Sequence, residues 1–467
     1  MLNPKDFKKE AGPVVDWIDH YMNNIRSLPV KSKVSPGDIY KAIPEEAPLH
    51  PESMEQIMED LDRIILPGMT HWQHPGFHAY FPANSSVESV LAESVTAAMG
   101  AQCMIWETSP AAAELEQRMM EWLRDAMGIP ESFEGVIQDS ASSASLVSLI
   151  TAREVATGFR SNEEGVPQNL RIYCSQETHS SIEKGVGVCG IGRKNLVKIG
   201  VDRQMRMESS MLETRIREDL DAGLKPCAVV AAIGTTSTVA VDPLEEIAAI
   251  CKKYGIWLHV DAAFAGTALL LPEYRWMIKG IEQADSFVFN PHKWMFTNFD
   301  CDCFYVADRS ALINTFSVLP EYLRNKETDA GTVIDYRDWH VQLGRRFRPL
   351  KLWFVIRHYG LEGLQYHIRQ HVKLAQEFAS WVADDPDFEL ASPAPLNLVC
   401  FRHRAGDEIN QQIMEQINRS GEAYLTHTKL DDQFTLRLCV GQTYTEARHV
   451  SQVWNLIKQT ADTLTTM

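Results

Sequence analysis

Short apolar runs that alternate with helical patterns between about residues 86 and 350 constrain the fold of this chain more than any other feature. Each run has the length and β-rich composition of a buried strand, and most are followed by apolar residues at helical spacing. Strands are predicted at residues 135–137, 170–174, 196–201, 228–233, 257–260, 287–289 and 303–306. This alternation is typical of an α/β domain in which helices cover a mainly parallel sheet.

The regions on either side of this domain have different patterns. Residues 1–85 contain two amphipathic helices, with apolar residues at helical spacing from Val14 to Leu28 and from Met54 to Ile65. Two such helices bury little alone, so we expect them to pack against the rest of the chain or a second subunit. After residue 360 the order helix, strand, helix, strand, helix predicts a small α+β domain. The predicted parts are therefore a dimerisation arm at 1–85, a large domain at 86–360 and a small domain at 361–467.

One predicted helix, between the fourth and fifth strands, has signals at both ends. Asp242 is the expected N-cap, Pro243 the expected first helical residue, and Gly255 the expected end. This helix and its two flanking strands predict one βαβ unit.

Composition excludes several classes of function. The 62 acidic and 45 basic residues give a formal net charge of −17, which argues against a general surface for nucleic acids or anionic membranes. No segment approaches the roughly 18 consecutive apolar residues of a membrane helix. The N-terminus lacks a signal-peptide pattern, so a cytoplasmic protein is expected. The nine cysteines, without a C-x-x-C pair, are expected to be buried thiols rather than disulfides or zinc ligands.

Polar residues follow several predicted strands, at the sheet edge where open α/β folds bind ligands. Small hydroxyl residues from Ser140 to Ser145 lead into an apolar helix, whose first N–H groups can hold a phosphate. Asp261 follows the fifth strand and Lys293 follows the sixth. Each feature alone is more often a helix cap or a surface group. Together, a phosphate-binding helix start, an acid and an amine are what pyridoxal 5′-phosphate requires.

The motifs around these residues resemble the pyridoxal-phosphate-dependent group II amino-acid decarboxylases, and most closely the aromatic-L-amino-acid decarboxylases. They are HVDAAFAG around Asp261, NPHKW around Lys293, IGTTST before both, THWQHPGFHAYFP at 70–82, GVIQDSAS at 135–142 and LGRRFRPLKLWFVIRHYG at 343–360. The resemblance implies pyridoxal-phosphate fold type I, which is aspartate-aminotransferase-like. It also implies a carboxy-lyase that converts an aromatic L-amino acid to the corresponding amine and carbon dioxide.

The resemblance further implies roles for single residues. Lys293 resembles the lysine that bonds to the cofactor, Asp261 the carboxylate at the pyridine nitrogen, and His179 the imidazole stacked on the ring. The other residues implied at the cofactor are Ala141, Ser142, Thr236, Ala263, Asn290 and His292. Tyr322, in a polar stretch at 318–331 that predicts a long loop, resembles the tyrosine that protonates the substrate carbon. Related aldehyde synthases have phenylalanine at this position.

The substrate pocket implied by the resemblance has aromatic and apolar walls, which suit a phenyl or indole side chain. Its residues here are Trp72, Tyr80, Phe81, Pro82, Met104 and Gly344. Ala83, Gln102 and Met104 differ from animal members, which leaves dopa, tyrosine, tryptophan and 5-hydroxytryptophan open as substrates. In the family, residues near 102–106 come from the neighbouring subunit, so the resemblance implies a homodimer with its active site at the subunit interface.

Several alternatives remain open from the sequence. The chain could be an aldehyde synthase or a diamino-acid decarboxylase on the same scaffold, or a cofactor-binding homologue without activity. His367 and His371 have the i, i+4 spacing of metal ligands, but no carboxylate accompanies them. We therefore predict a solvated histidine pair and no metal site.

Overall fold

The structure, a computed structural model, describes residues 6–318 and 333–466. Its helices are α1 (Phe7–Asn24), α2 (Asp38–Ala42), α3 (Met54–Asp60), α4 (Val87–Met99), α5 (Pro110–Met127), α6 (Ala141–Thr157), α7 (Ser161–Glu164), α8 (Ser180–Val188), α9 (Ser209–Asp221), α10 (Leu244–Tyr254), α11 (Pro291–Trp294), α12 (Arg309–Phe316), α13 (Pro349–Asp384), α14 (Asp407–Ser420) and α15 (Ala447–Thr466). Its strands are β1 (Glu134–Gln138), β2 (Leu170–Ser175), β3 (Leu196–Ile199), β4 (Lys225–Ala232), β5 (Trp257–Asp261), β6 (Ser286–Phe289), β7 (Asp302–Val306), β8 (Phe388–Leu390), β9 (Leu398–His403), β10 (Thr426–Leu430) and β11 (Gln433–Cys439).

The chain divides into two compact units, which are described separately. The large-sheet unit comprises Ala83–Lys373 and Ser392–Leu398. The small-sheet unit comprises Met1–Pro82, Leu374–Ala391 and Val399–Met467. The three-part division expected from the sequence stays a prediction.

The large sheet has the strand order β1-β7-β6-β5-β4-β2-β3. The pairs β2–β3, β2–β4, β4–β5 and β5–β6 are parallel, whereas β7 is antiparallel to both β6 and β1. Strands buried on both faces read as continuous apolar runs, as in β4, where Val229 and Val230 are fully buried. The predicted mainly parallel α/β fold is confirmed, and all seven predicted strands are present.

Helix α6 packs on one face of the large sheet and begins at the end of β1. Its N-cap Ser140 accepts a hydrogen bond from the backbone N–H of Ser143, and Gly158 ends the helix in the left-handed region at φ 65°. The helix packs with β1, β6 and β7 in one apolar core that includes Val136, Ala144, Val147, Val288 and Phe304. This core fixes the start of α6 against the sheet edge.

The small sheet has the strand order β10-β11-β9-β8, with antiparallel pairs β10–β11 and β8–β9. The order helix, strand, helix, strand, helix that is predicted after residue 360 is present. Strands β8 and β10 were not predicted, because β8 has three residues and β10 (THTKL) has only one large apolar side chain. Pairing with an apolar neighbour, and not the local sequence, makes them strands.

Two expectations about single residues are wrong. Helix α10 begins at Leu244 with Pro243 as its N-cap, and Asp242 does not cap it. Instead the buried Asp242 carboxylate accepts the backbone N–H groups of Met207 at 2.7 Å and Ala232 at 2.8 Å. Burial raises the pKa of Asp242 to about 6. These two backbone N–H groups would otherwise be buried without partners. The Asp242 carboxylate therefore accepts their hydrogen bonds and not those of the N–H groups at the start of α10.

The predicted solvated histidine pair on α13 is also wrong. His371 is only 3% exposed, and its Nδ1 accepts the indole N–H of Trp294 at 2.9 Å. The His367 ring packs edge-on against the rings of Phe296 and Tyr359. Within the described ranges, no cluster of three or more His, Cys, Asp or Glu side chains could hold a metal ion.

The cysteines agree with the expectation of buried thiols, since all nine are free and buried. Burial raises the pKa of Cys174 and of Cys227 to about 12. Across residues 6–318 and 333–466, no helix combines the length and the apolar composition that a membrane span requires.

Candidate active site

The carboxyl ends of three strands bring most of the predicted cofactor residues to one edge of the large sheet. β1 and β6 run in the same direction because both are antiparallel to β7, and β5 is parallel to β6. Ala141 and Ser142 begin α6 after β1, and Asp261 is the last residue of β5. Asn290, His292 and Lys293 follow β6. The edge predicted from the sequence therefore exists within one unit.

Asp261 supplies a buried carboxylate at this edge. The residue is 8% exposed, and its Oδ1 accepts the backbone N–H of Ala263 at 3.0 Å. This bond joins the carboxylate to the turn that follows β5 and fixes its orientation. The Asp261 charge acts on both His179 and Lys293.

Lys293 lies on the one-turn helix α11, where its backbone N–H binds the carbonyl of Asn290 at 3.0 Å. Burial lowers the pKa of the Lys293 amine, whereas the nearby carboxylates of Asp261 and Asp302 act in the opposite direction. A lysine whose pKa is lowered holds more neutral amine, which is the nucleophilic form.

His179 caps the start of α8 through its ring. Nδ1 accepts the backbone N–H of Ser181 at 3.2 Å and lies 2.8 Å from the Ser181 hydroxyl. Desolvation lowers the pKa of His179; the Asp261 charge raises it and the Lys293 charge lowers it. The ring is therefore neutral near pH 7, and because Nδ1 is an acceptor, Nε2 carries the proton.

Asn290 and His292 form a buried polar pair beside Lys293. Nδ1 of His292 accepts the backbone N–H of Cys301 at 2.9 Å, and Nε2 lies 3.1 Å from Asn290 Nδ2. Burial lowers the pKa of His292 to about 3, so this ring stays neutral. One polar atom of the Asn290 amide is buried and has no hydrogen-bond partner among the described residues. A buried polar atom of this kind indicates that a further group belongs at the site.

The start of α6 and the turn after β4 complete the edge. The first N–H groups of a helix have no carbonyl partner within the helix, and here they belong to Ala141 and the exposed Ser142. Thr236 is exposed in the turn after β4, where the Thr235 hydroxyl accepts the backbone N–H of Ala240 at 3.1 Å. An amine, a carboxylate, a phosphate-binding helix start and a buried polar atom without a partner fit pyridoxal 5′-phosphate.

Four predicted substrate residues lie in the small-sheet unit and the other two in the large-sheet unit. Trp72 lies 4.4 Å from Phe77 and 5.9 Å from Tyr80 between ring centroids, and the hydroxyl of Tyr80 lies 3.3 Å from that of Tyr424. The Phe81 ring lies 5.7 Å from the guanidinium of Arg437, and Pro82 is buried. Trp72 and Tyr80 are 38% and 48% exposed. They present an aromatic surface that Tyr424, far away in the sequence, completes.

The segments that carry Met104 and Gly344 are hydrogen-bonded to each other in the large-sheet unit. Gln102 Oε1 accepts the backbone N–H of Arg345 at 2.9 Å, and a Cβ atom added to Gly344 would lie 3.3 Å from Gln102 Nε2. The carbonyl of Met104 accepts the backbone N–H of Arg337 at 3.2 Å. The remaining predicted site residue, Tyr322, lies outside the described residues.

Three buried charged residues near this edge were not found from the sequence. Glu116 and Arg345 form an ion pair of 2.5 Å and both bind the backbone of Ile137 in β1, and Asp302 is fully buried at the start of β7. A charged residue inside an apolar run, as in CDCFYV for Asp302, is the sequence pattern that could have indicated them. Charged side chains are rarely buried without a specific partner, so such a position is unusual.

Comparison with known proteins adds an independent finding. The model of the pyridoxal-dependent decarboxylase conserved domain matches residues 36–404. The phenylacetaldehyde synthase of Arabidopsis thaliana is 43% identical over 99% of this chain and 98% of its own length. The aromatic-L-amino-acid decarboxylase of Mus musculus is 40% identical over 99% of both chains. A crystal structure of Oryza sativa TDC with PLP and tryptamine superimposes with a TM-score of 0.96 at 37% identity, over 99% of both chains.

Proposed function

Because the chain belongs to the pyridoxal-dependent decarboxylase family, and is thus a carboxy-lyase that uses pyridoxal 5′-phosphate, we propose that it decarboxylates an aromatic L-amino acid to the amine. The observation that carries the proposal is the grouping of Lys293, Asp261 and His179 at one sheet edge, with electrostatic interaction among all three. Relatives that act on aromatic amino acids match this chain over nearly its whole length.

The proposed roles follow from the contacts of each side chain. Lys293 would bond covalently to the cofactor, since its lowered pKa keeps its amine nucleophilic. Asp261, oriented by the N–H of Ala263, would keep a proton on the pyridine nitrogen. When bound, pyridoxal 5′-phosphate supplies an electron-withdrawing ring that stabilises the charge left on the substrate carbon as carbon dioxide departs.

The surrounding residues orient the cofactor. The N–H groups of Ala141 and Ser142 at the start of α6 would hold its phosphate, together with Thr236. The neutral His179 ring and Ala263 would pack against the ring of the cofactor. Asn290 and His292 line the site beside Lys293, where the unpartnered polar atom of the Asn290 amide would form a further hydrogen bond.

Aromatic character of the substrate is supported by the partly exposed rings of Trp72 and Tyr80 and by the apolar Met104, with Phe81, Pro82 and Gly344 as further contacts.

We also propose a homodimer with the active site at the subunit interface. Apolar side chains of α1 remain exposed, among them Phe7 at 71% and Val15 at 60%, and a second subunit would cover them.

A panel of L-amino acids tests the proposal. The purified protein and its Lys293→Ala variant are incubated with tyrosine, dopa, tryptophan, 5-hydroxytryptophan, phenylalanine and, as a non-aromatic control, glutamate. We expect equal amounts of amine and carbon dioxide from at least one aromatic substrate, and neither product from the variant. If the protein shows lysine-dependent cofactor absorbance but forms no product from any aromatic substrate, the proposed decarboxylation is contradicted.

An aldehyde synthase is the second candidate, favoured by the phenylacetaldehyde synthase relative of 43% identity. Tyr322 distinguishes the two, because a phenol can protonate the substrate carbon and phenylalanine cannot. We propose that the unmodified protein releases amine, and that Tyr322→Phe keeps cofactor binding but diverts product to aldehyde, a reaction in which molecular oxygen is the oxidant, water is consumed, and ammonia and hydrogen peroxide are formed. If the variant releases as much amine as the unmodified protein, Tyr322 is not the proton donor.

A further inference from the structure

Asp302 lies on the same face of the large sheet as Asp261. The register pairs Asp261 with Val288, Val288 with Phe304, and Asp302 with Gln138. Residues paired in register share a face, as do residues two apart on a strand such as Asp302 and Phe304. Because β7 is antiparallel to β6, its first residue lies at the edge where β6 ends, and Asp302 therefore reaches the site of Lys293.

The Asp302 carboxyl is buried without hydrogen-bond partners. Its exposure is 0%, and in the part of the chain that the structure describes neither Oδ1 nor Oδ2 has a partner. Burial of an ionised carboxylate without hydrogen-bond donors is strongly unfavourable. At rest, therefore, Asp302 holds a proton.

The charged and titratable groups around Asp302 come from four elements. They are Asp139 after β1, Asp261 at the end of β5, Lys293 on α11 and the adjacent Cys301. Burial raises the pKa of Asp302 well above its ordinary value, Cys301, Asp139 and Asp261 raise it further, and only Lys293 lowers it. Among the described residues named here, a cationic Lys293 is thus the neighbour that favours loss of the Asp302 proton.

We propose that Asp302 is a positioning residue that shares one proton with the side-chain nitrogen of Lys293, both when the amine is free and when it is bonded to the cofactor. With the free amine, the Asp302 O–H bond breaks as a third N–H bond forms on Lys293, which leaves a carboxylate and an ammonium. The pair keeps zero net charge in both forms and consumes no other reactant. This inference rests on the proposed function, in which Asp261 is committed to the cofactor and Asp302 remains as the counter-charge for Lys293.

Absorbance of the holoenzyme as a function of pH tests the proposal without a catalytic assay. An ionised Asp302 favours a protonated nitrogen on Lys293, so Asp302→Asn removes this support at alkaline pH. We expect the midpoint of the pH-dependent change in visible cofactor absorbance to fall by about one pH unit, a tenfold change in the equilibrium. Asp302→Ser, also neutral but smaller, should shift it in the same direction and serves if Asp302→Asn does not fold.

Asp285→Asn is the matched control. Asp285 precedes β6, at the opposite edge of the sheet, where it accepts the backbone N–H of Leu258 at 2.7 Å. Burial raises its pKa to about 6, so it is also a desolvated carboxyl. This variant should lower thermal stability and leave the absorbance midpoint unchanged.

Infrared difference spectra of the unmodified holoenzyme provide a second measurement. L-Tyrosine methyl ester has an amine that displaces Lys293 but no free carboxylate to lose. We expect its binding to remove the carbonyl band of one protonated carboxyl, and we expect Asp302→Asn to lack this change.

The outcomes separate this inference from the proposed function. If the unmodified protein gives no lysine-dependent visible absorbance with pyridoxal 5′-phosphate, the proposed function fails. If that absorbance forms, but both Asp302 variants titrate as the unmodified protein does and the carboxyl band persists with the ester, only the role of Asp302 is overturned.

Discussion

Replacement of Glu116 by alanine should destabilise the protein more than any nearby surface substitution. Glu116 on α5 is 1% exposed and its partner Arg345 is 2% exposed, with 2.5 Å between Oε1 and Nη2. The same Oε1 accepts the backbone N–H of Ile137 in β1 at 2.7 Å. Arg345 also donates to the carbonyls of Ile137 at 2.9 Å and Cys103 at 3.3 Å. The pair thus ties the strand before α6 to the segments that carry Met104 and Gly344.

The magnitude follows from what Glu116→Ala leaves behind. A buried guanidinium without its carboxylate costs about 3–5 kcal/mol. With an unfolding entropy of about 2.1 cal/mol/K per residue, 467 residues give roughly 1 kcal/mol/K. The expected fall in the thermal midpoint is therefore about 3–5 °C.

Differential scanning calorimetry at pH 7 measures this fall against two controls. Glu121→Ala, on the same helix, removes the surface pair with Arg118, which lies at 2.7 Å and contributes about 0–1 kcal/mol. Glu116→Met combined with Arg345→Met leaves no uncompensated charge, so it should restore most of the lost midpoint. If Glu116→Ala lowers the midpoint no more than Glu121→Ala does, the reasoning from burial is refuted.

Three further predictions concern pH, backbone and activity. Burial lowers the pKa of His78 to about 4, below the value of about 6.5 in an unfolded chain, so its neutral form contributes stability that is lost as pH falls from 6.5 toward 4. His78→Asn, which can still donate to the Cys439 carbonyl, should reduce the fall in thermal midpoint between pH 7 and 5. If the midpoint of the variant falls as far as that of the unmodified protein, His78 does not cause this pH dependence. Gly280→Ala should destabilise by more than about 1 kcal/mol, because φ is 94° and the new Cβ would lie 2.8 Å from the Cα of Glu245. Gly223→Ala, with φ 76° and nothing within 4 Å, measures the backbone cost alone, and equal losses in midpoint would contradict the clash. Asp261→Asn should lower kcat about 10- to 100-fold by removing a charged contact worth about 1.5–3 kcal/mol, and unchanged steady-state kinetics would exclude its role.

The parts of the fold that the sequence predicted are those with strong local patterns. Strands such as β4 and β5 are buried on both faces and read as apolar runs, and Asp261 stands out because it ends one of them. Strands β8 and β10 lack such a pattern and depend on their partners in the small sheet. Asp242 has the sequence position of a helix cap, but a tertiary contact with backbone N–H groups decides its place.

Asp302 escaped prediction for a topological reason. Ligand-binding residues are predicted after the carboxyl end of each strand, which holds for parallel strands. Because β7 is antiparallel to its neighbours, the residue that reaches the site edge is its first and not one beyond its last. The direction of a strand cannot be determined from its own residues. The aromatic surface of the small-sheet unit could not be predicted in full either, because Tyr424 joins Trp72 and Tyr80 only in the folded unit.

The burial of all nine cysteines makes this protein convenient for site-specific labelling. Thiol reagents need accessible thiolate, and burial that raises the pKa of Cys174 and Cys227 to about 12 suppresses both access and ionisation. A Val318→Cys variant, at a position whose side chain is 78% exposed, should therefore take up a maleimide fluorophore far faster than any native thiol. Such a dye, four positions from Tyr322, would report changes in its surroundings during turnover, with little background from the rest of the chain.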